Sequence, residues 1–251
     1  MSRDLSGVTS VPSLESQSKR PYCPVMGERE GAGVPTTVRI SSPSHRVRVV
    51  AEDRSDIVLE GRFSSRESGS VMSVESAGSP LVVHVPRGTD VQVGTESSRI
   101  EVEGAVGHLA ATSSSGRVEV ESAETADIRT SSGRVEVGAV VGEARLRTSS
   151  GRVIVGSCEQ LDASTDSGRI EVRDARGNVE ASCVSGRVEV EMATAADVVA
   201  ETVSGRIEVA MPQGTRVHRS SRNESSEDRP ADCDCVVAAR SISGRVVVGE
   251  R

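Results

Sequence analysis

The sequence predicts an all-β protein built as a parallel β-solenoid, and three observations carry that expectation. Valine occurs 41 times in the 251 residues and leucine 7 times. Helical interiors lean on leucine, whereas a β-branched side chain loses less freedom on a pleated strand. There is no tryptophan, one tyrosine (Tyr22) and one phenylalanine (Phe63), so the interior must be thin and aliphatic. The third observation is a phrase, Ser-Gly-Arg-Val/Ile-x-Val, that recurs along the chain.

The phrase first stands complete at Ser115-Gly116-Arg117-Val118-Glu119-Val120. It returns at Gly133, Gly151, Gly168, Gly186, Gly205 and Gly244, in steps of 17, 18, 17, 18, 19 and 39 residues. The last step spans two repeats. Degenerate copies lie upstream at Ser97-Ser98-Arg99-Ile100-Glu101-Val102 and Ser44-His45-Arg46-Val47-Arg48-Val49.

Aligned on the glycine, the phrase alternates with a period of two. Val118, Val135, Val153, Ile170, Val188, Ile207 and Val246 point to one side, and Arg and Glu to the other. That is a half-buried strand. A second apolar pair precedes each glycine by seven and five residues, as in Leu109/Ala111 and Ala144/Leu146. Each repeat therefore holds at least two short strands. A meander reverses strand direction at every turn and would not preserve these files. Coils of 17–19 residues stacked in parallel register, about 4.8 Å apart, do preserve them. The handedness of such a coil is not written in the pattern.

Smaller positions complete the coil. Glycine gives the corner its backbone freedom. The serine before it can bond the turn backbone. Three residues before the glycine runs a file of Ser113, Thr130, Thr148, Thr165, Thr202 and Ser241, with Cys183 once, which alternation turns inward. Upstream, Val38–Ile40, Val47–Val49, Ile57–Leu59, Val71–Val74 and Leu81–Val85 read as early rungs with looser turns. Pro86-Arg87-Gly88-Thr89-Asp90-Val91 and Pro212-Gln213-Gly214-Thr215-Arg216-Val217 share one turn phrase, which joins both regions into a single architecture. Residues 1–35 are Ser/Gly/Pro-rich without periodicity and read as a disordered tail. Residues 36–251 form one domain, with a polar loop inserted at about 219–235.

The outward file carries Arg117, Arg134, Arg152, Arg169 and Arg187, and two residues on, Glu119, Glu136, Glu171 and Glu189. Ile154 and Val247 interrupt the glutamates. This stripe is the candidate recognition surface. Opposite signs match nearly one to one, so it also reads as a solvated face whose charges cancel and discourage aggregation.

The phrase Thr130-Ser131-Ser132-Gly133-Arg134-Val135-Glu136-Val137, repeated every 17–19 residues behind the Val85–Thr89 lead-in, resembles the bacterial putative-adhesin domain of unknown function 4097. The resemblance covers residues 38–248. It implies a parallel β-solenoid and an adhesin-like role, with no catalytic residues to carry over.

Charge and chemistry narrow the function. The net charge of −7 speaks against a nucleic-acid surface. No apolar run approaches the ~20 residues of a membrane helix. Without a visible signal segment, and with five irregularly spaced cysteines, the expectation is a reduced, cytoplasmic protein. No phosphate-binding glycine loop is present. His45, His84, His108 and His218 share no spacing. Cys233-Asp234-Cys235 is one compact thiol pair, and His218 is the one further ligand near it in the insertion, so no metal site is assigned. The expectation is a non-enzymatic scaffold without cofactor or metal, engaging a protein or polymer through flat sheet faces. The alternatives are a self-assembling solenoid resembling bactofilin filaments, joined through an uncapped C-terminal coil, and an enzyme acting on a polysaccharide.

Overall fold

The structure, a computed structural model, describes residues 36–220 and 233–250. The expected N-terminal tail and the middle of the inserted segment lie outside the described residues. Valine-rich alternation produces strands and nothing else: no helix occurs among the described residues, and all twelve strands join one open sheet. They are β1 (Thr37–Ser42), β2 (Val47–Glu52), β3 (Val58–Glu60), β4 (Phe63–Ser68), β5 (Val71–Ser76), β6 (Leu81–Pro86), β7 (Asp90–Thr95), β8 (Ile100–Ala175), β9 (Val179–Met192), β10 (Val198–Met211), β11 (Val217–Arg219) and β12 (Cys235–Glu250). Among the described residues no helix is long and apolar enough to cross a membrane.

The repeated phrases lie against one another in parallel. Gly168 of β8 is opposite Gly186 of β9, Gly205 of β10 is opposite Gly186, and Gly244 of β12 is opposite Gly205. Arginine therefore lies beside arginine and valine beside valine. Val118, Val153, Ile170, Val188 and Ile207 are fully buried, and Val135 is 1% exposed. The files before the glycine are buried too, Leu109, Ile128, Leu146, Ala163 and Ala200 among them. A further buried file follows the six phrases from Gly116 to Gly205: Ala123, Val140, Cys158, Ala175, Met192 and Met211. The fold is thus all-β and solenoid-like, with a core that exists by stacking.

The glycine file has a sharper cause than corner freedom. Gly133, Gly151, Gly168, Gly186 and Gly205 have φ between +151° and +159°. A Cβ on Gly168 would lie 1.8 Å from the Gly151 carbonyl oxygen, and one on Gly186 would lie 1.9 Å from that of Gly168. Each glycine is in contact with the backbone of the one below, so no side chain fits.

The inward hydroxyl file is present, with Ser113, Thr130, Thr148, Thr165 and Thr202 buried. Its bonding is incomplete. Thr95 Oγ1 bonds Ser113 Oγ at 3.2 Å, and Thr148 Oγ1 donates to the Ser150 carbonyl at 3.4 Å. Among the described residues the side-chain oxygens of Thr130, Thr165, Thr202 and Ser241 find no hydrogen-bond partner. Their methyl or methylene groups supply packing at the corner.

The ends depart from a plain succession of rungs. β1 pairs with both β5 and β7, and β2 with both β6 and β8. The first rung in the sequence is therefore inserted between the second and the third. This brings the two degenerate phrases together, with Val47 opposite Ile100 and Val49 opposite Val102. Outside β5 and β6 lie β4 and β3, both antiparallel. At the other end β12 is inserted in the same manner: it pairs with β10 on one edge, and with β11 on the other over Val217↔Cys235 to Arg219↔Val237. Arg219 and Cys235, placed by the sequence at the rims of a loop, are strand residues. The two Pro-x-Gly-Thr phrases do form the same turn: Gly88 and Gly214 both have φ +75°, and Thr89 and Thr215 each donate from N to the proline carbonyl at 3.3 Å. Glycine at the third position of such a turn is the type II pattern.

Two pairs of variants test these assignments by chemical denaturation. Val153→Asp, which buries an unpaired charge, lowers stability by about 4 kcal/mol or more, whereas exposed Arg152→Ala stays under about 1 kcal/mol. Gly168→Ala, driven into the Gly151 carbonyl, loses more than about 3 kcal/mol, whereas Gly249→Ala, with no atom within 4 Å of the new Cβ, stays within about 0.5 kcal/mol. Equal losses within either pair would refute the assigned packing.

Candidate functional site

Side chains two apart on a strand share a face, so an arginine can reach the glutamate of its own phrase. Arg117 Nη1 lies 3.2 Å from Glu119 Oε1, and Arg187 Nη1 3.0 Å from Glu189 Oε1. Arg134 pairs with Glu136 in the same way. Pairing also crosses rungs, with Arg99 Nε donating to Glu119 Oε2 at 3.2 Å. Partial burial pushes the Glu119 carboxyl up, but the bonds donated by Arg99 and Arg117 outweigh it and hold the group below its ordinary value. Glu171 is taken by Arg173 at 3.0 Å rather than by Arg169. Arg152, with Ile154 in the glutamate place, and Arg169 make no ion pair among the described residues. The stripe is in register as its spacing implies, and most of its charge is internally matched. A 450 Å³ depression beside it gathers Glu101, Glu103, Glu119, Glu121 and Glu136. Here Glu103 is bonded by Arg48, and Glu121 accepts from the Gly104 amide at 2.8 Å.

The larger concavity lies on the other strand of each repeat. The residues four and two before the glycine flank a furrow, and the residue three before it forms the floor. One stretch, 320 Å³, is lined by Thr112, Ser114, Arg129, Ser131, Arg147 and Ser149. The next, 610 Å³, is lined by Ser182, Val184, Glu201, Val203, Arg240 and Ile242. Both include Ser164 and Asp166, so they form one furrow across seven rungs, roughly 29 Å long at the strand spacing. Its character changes midway. The position two before the glycine is Ser114, Ser131, Ser149 and Asp166, then Val184, Val203 and Ile242, which are 51%, 46% and 70% exposed. The arginines at the wall are tethered, Arg129 to Asp127 at 2.9 Å and Arg240 to Glu201 at 3.5 Å. The sequence reading did not single out this file. Its signal is the replacement of serine by valine and isoleucine at one fixed place before the glycine.

The thiols and imidazoles do not converge. Burial, then the nearby carboxylates of Glu159 and Asp174, push the Cys158 thiol up to about 11, and burial raises Cys183. Both are packing residues. Cys235 is buried at the start of β12, and Asp234 is engaged by the Arg216 amide at 2.9 Å. His108 Nδ1 lies 2.9 Å from Thr125 Oγ1. Among the described residues no three His, Cys, Asp or Glu side chains are grouped to hold a metal ion.

Against known proteins, the chain is similar in structure to a putative adhesin from Bacteroides fragilis NCTC 9343, with 12% identity over 88% of this chain and 94% of that one and a TM-score of 0.42. It is also similar to a putative cell adhesion protein from Clostridium sporogenes ATCC 15579, with 10% identity over 87% and 94% of the two chains and a TM-score of 0.20. No curated protein matches the chain. The Toastrack DUF4097 family matches residues 36–246, the stretch that carries the stacked Ser-Gly-Arg-Val phrases, and the chain belongs to that family.

Proposed function

We propose that the chain is a non-enzymatic binding scaffold, adhesin-like in role, in which stacked coils of 17–19 residues present the furrow to a linear protein or polymer. The continuity of the furrow across seven rungs carries this reading. Repetition gives it a fixed pitch, so a linear partner meets one wall position per rung. Rigidity limits the ordering entropy lost on binding. Hydroxyls with Arg129 and Arg147 at one end suit a polar stretch of partner, and the aliphatic file of Val184, Val203 and Ile242 at the other suits an apolar one. The Arg/Glu stripe serves solubility, because its charges are spent on each other.

Binding of the purified chain to immobilised linear polysaccharides and to arrayed extended peptides tests the reading. One class is retained, and Val203→Asp or Ser149→Trp weakens retention at least about tenfold, while Arg152→Ala leaves it unchanged. Mass analysis recovers the ligand intact. Retention of neither class, retention unaffected by both furrow variants, or a cleaved ligand would overturn the proposal.

A further inference from the structure

The last rung differs from every rung beneath it. β11 covers β12 only over Cys235, Val236 and Val237, and among the described residues no strand pairs with the outer edge of 238–250. Val246 belongs to a file whose other members are at most 1% exposed, yet it is 38% exposed, because no strand among the described residues stacks on it. Val247, also 38% exposed, stands where Glu101, Glu119, Glu136, Glu171, Glu189 and Glu208 stand in other rungs. An end rung left to water would be expected to become more polar, since a bare edge templates pairing. This one becomes more apolar.

The opposite end is built the other way. There β4 closes the sheet antiparallel to β5, and its Ser64, Ser65, Arg66, Glu67 and Ser68 are all exposed. A polar, charged edge strand discourages further pairing. Head-to-tail stacking would have to join an apolar edge to this polar one.

We infer that the outer edge of β12 is an interface with a second copy of this chain, joined antiparallel across a twofold axis at Val247, which makes a closed dimer and not a filament. The triplet Val246-Val247-Val248 is a palindrome. Antiparallel pairing about Val247 sets Val246 opposite Val248 of the second copy twice over, and Val247 opposite itself. The two core files then continue across the axis, and Arg245 faces Gly249 rather than another arginine. Backbone geometry fits the same register. The Val248 carbonyl points outward, where Arg219 Nη2 now donates to it at 2.9 Å. Residues of that parity, Val246 and Val248, are the ones that exchange hydrogen bonds in this pairing. Arg219 gives up its bond when the second copy docks. A single strand pair is small beside the ~1,600 Å² of a standard interface, so affinity is in the micromolar range.

Sedimentation velocity of the full chain across a concentration series tests this. A monomer–dimer equilibrium is expected. Val247→Glu restores the residue that six other rungs carry, so it keeps the thermal midpoint while setting like charges face to face, and it weakens the dimer at least about tenfold. Amide hydrogen exchange in the unaltered chain gives an independent readout: the amides of Val246 and Val248 become protected as concentration rises. A chain that stays monomeric to about 500 µM, a dimer indifferent to Val247→Glu, growth into long polymers, or exchange at these amides independent of concentration would each overturn the inference.

Discussion

At each corner a glycine packs against the carbonyl oxygen of the glycine one rung below so tightly that no Cβ fits, and the remaining architecture follows from it. A Cβ at Gly151, Gly168 or Gly244 would lie 1.7–1.8 Å from that oxygen. Steric exclusion at one point per rung sets where each corner sits, and fixed corners keep the strands on either side in register. Register in turn stacks valine on valine inside and arginine on arginine outside. The aliphatic files provide most of the driving force, since burial of apolar area dominates folding. The glycines select which of many slipped stackings that force produces.

Regularity of this kind also shapes the two surfaces. On the outer face of the phrase, like charges would sit about 4.8 Å apart unless each were neutralised within its own rung, and Arg117–Glu119 and Arg187–Glu189 show that solution. On the other strand the same regularity turns one residue per rung into a continuous wall. The furrow is therefore a by-product of repetition, and its wall changes from Ser114, Ser131 and Ser149 to Val184, Val203 and Ile242 along the stack.

Most of the interior was legible in the sequence because a residue pinned by stacking leaves a mark at every repeat. The valine files, the inward hydroxyl file and the paired turns at Pro86 and Pro212 all left such marks. Strand order at the ends left none. The phrase at Ser44–Val49 reads as a copy, but nothing in it says which neighbours it takes, and the permuted pairing of β1 and β2 depends on long-range contacts with β5 to β8. β4 escaped because Phe63–Ser68 is an exposed edge with no apolar alternation. The furrow was half legible: its floor lies in the glycine-aligned pattern, but the bend that makes it concave is a property of the backbone path. Glu171 shows a smaller limit. Spacing offers it Arg169 and Arg173 equally, and side-chain geometry chose Arg173.

Insertion of the β1–β2 rung between its neighbours has a mechanical meaning. A strand on the rim of a sheet yields to traction by unzipping, one hydrogen bond after another along a single ladder. A strand gripped along both flanks must shear two ladders together before it moves. Tension applied at Thr37 therefore works against two ladders at once, the one to β5 and the one to β7.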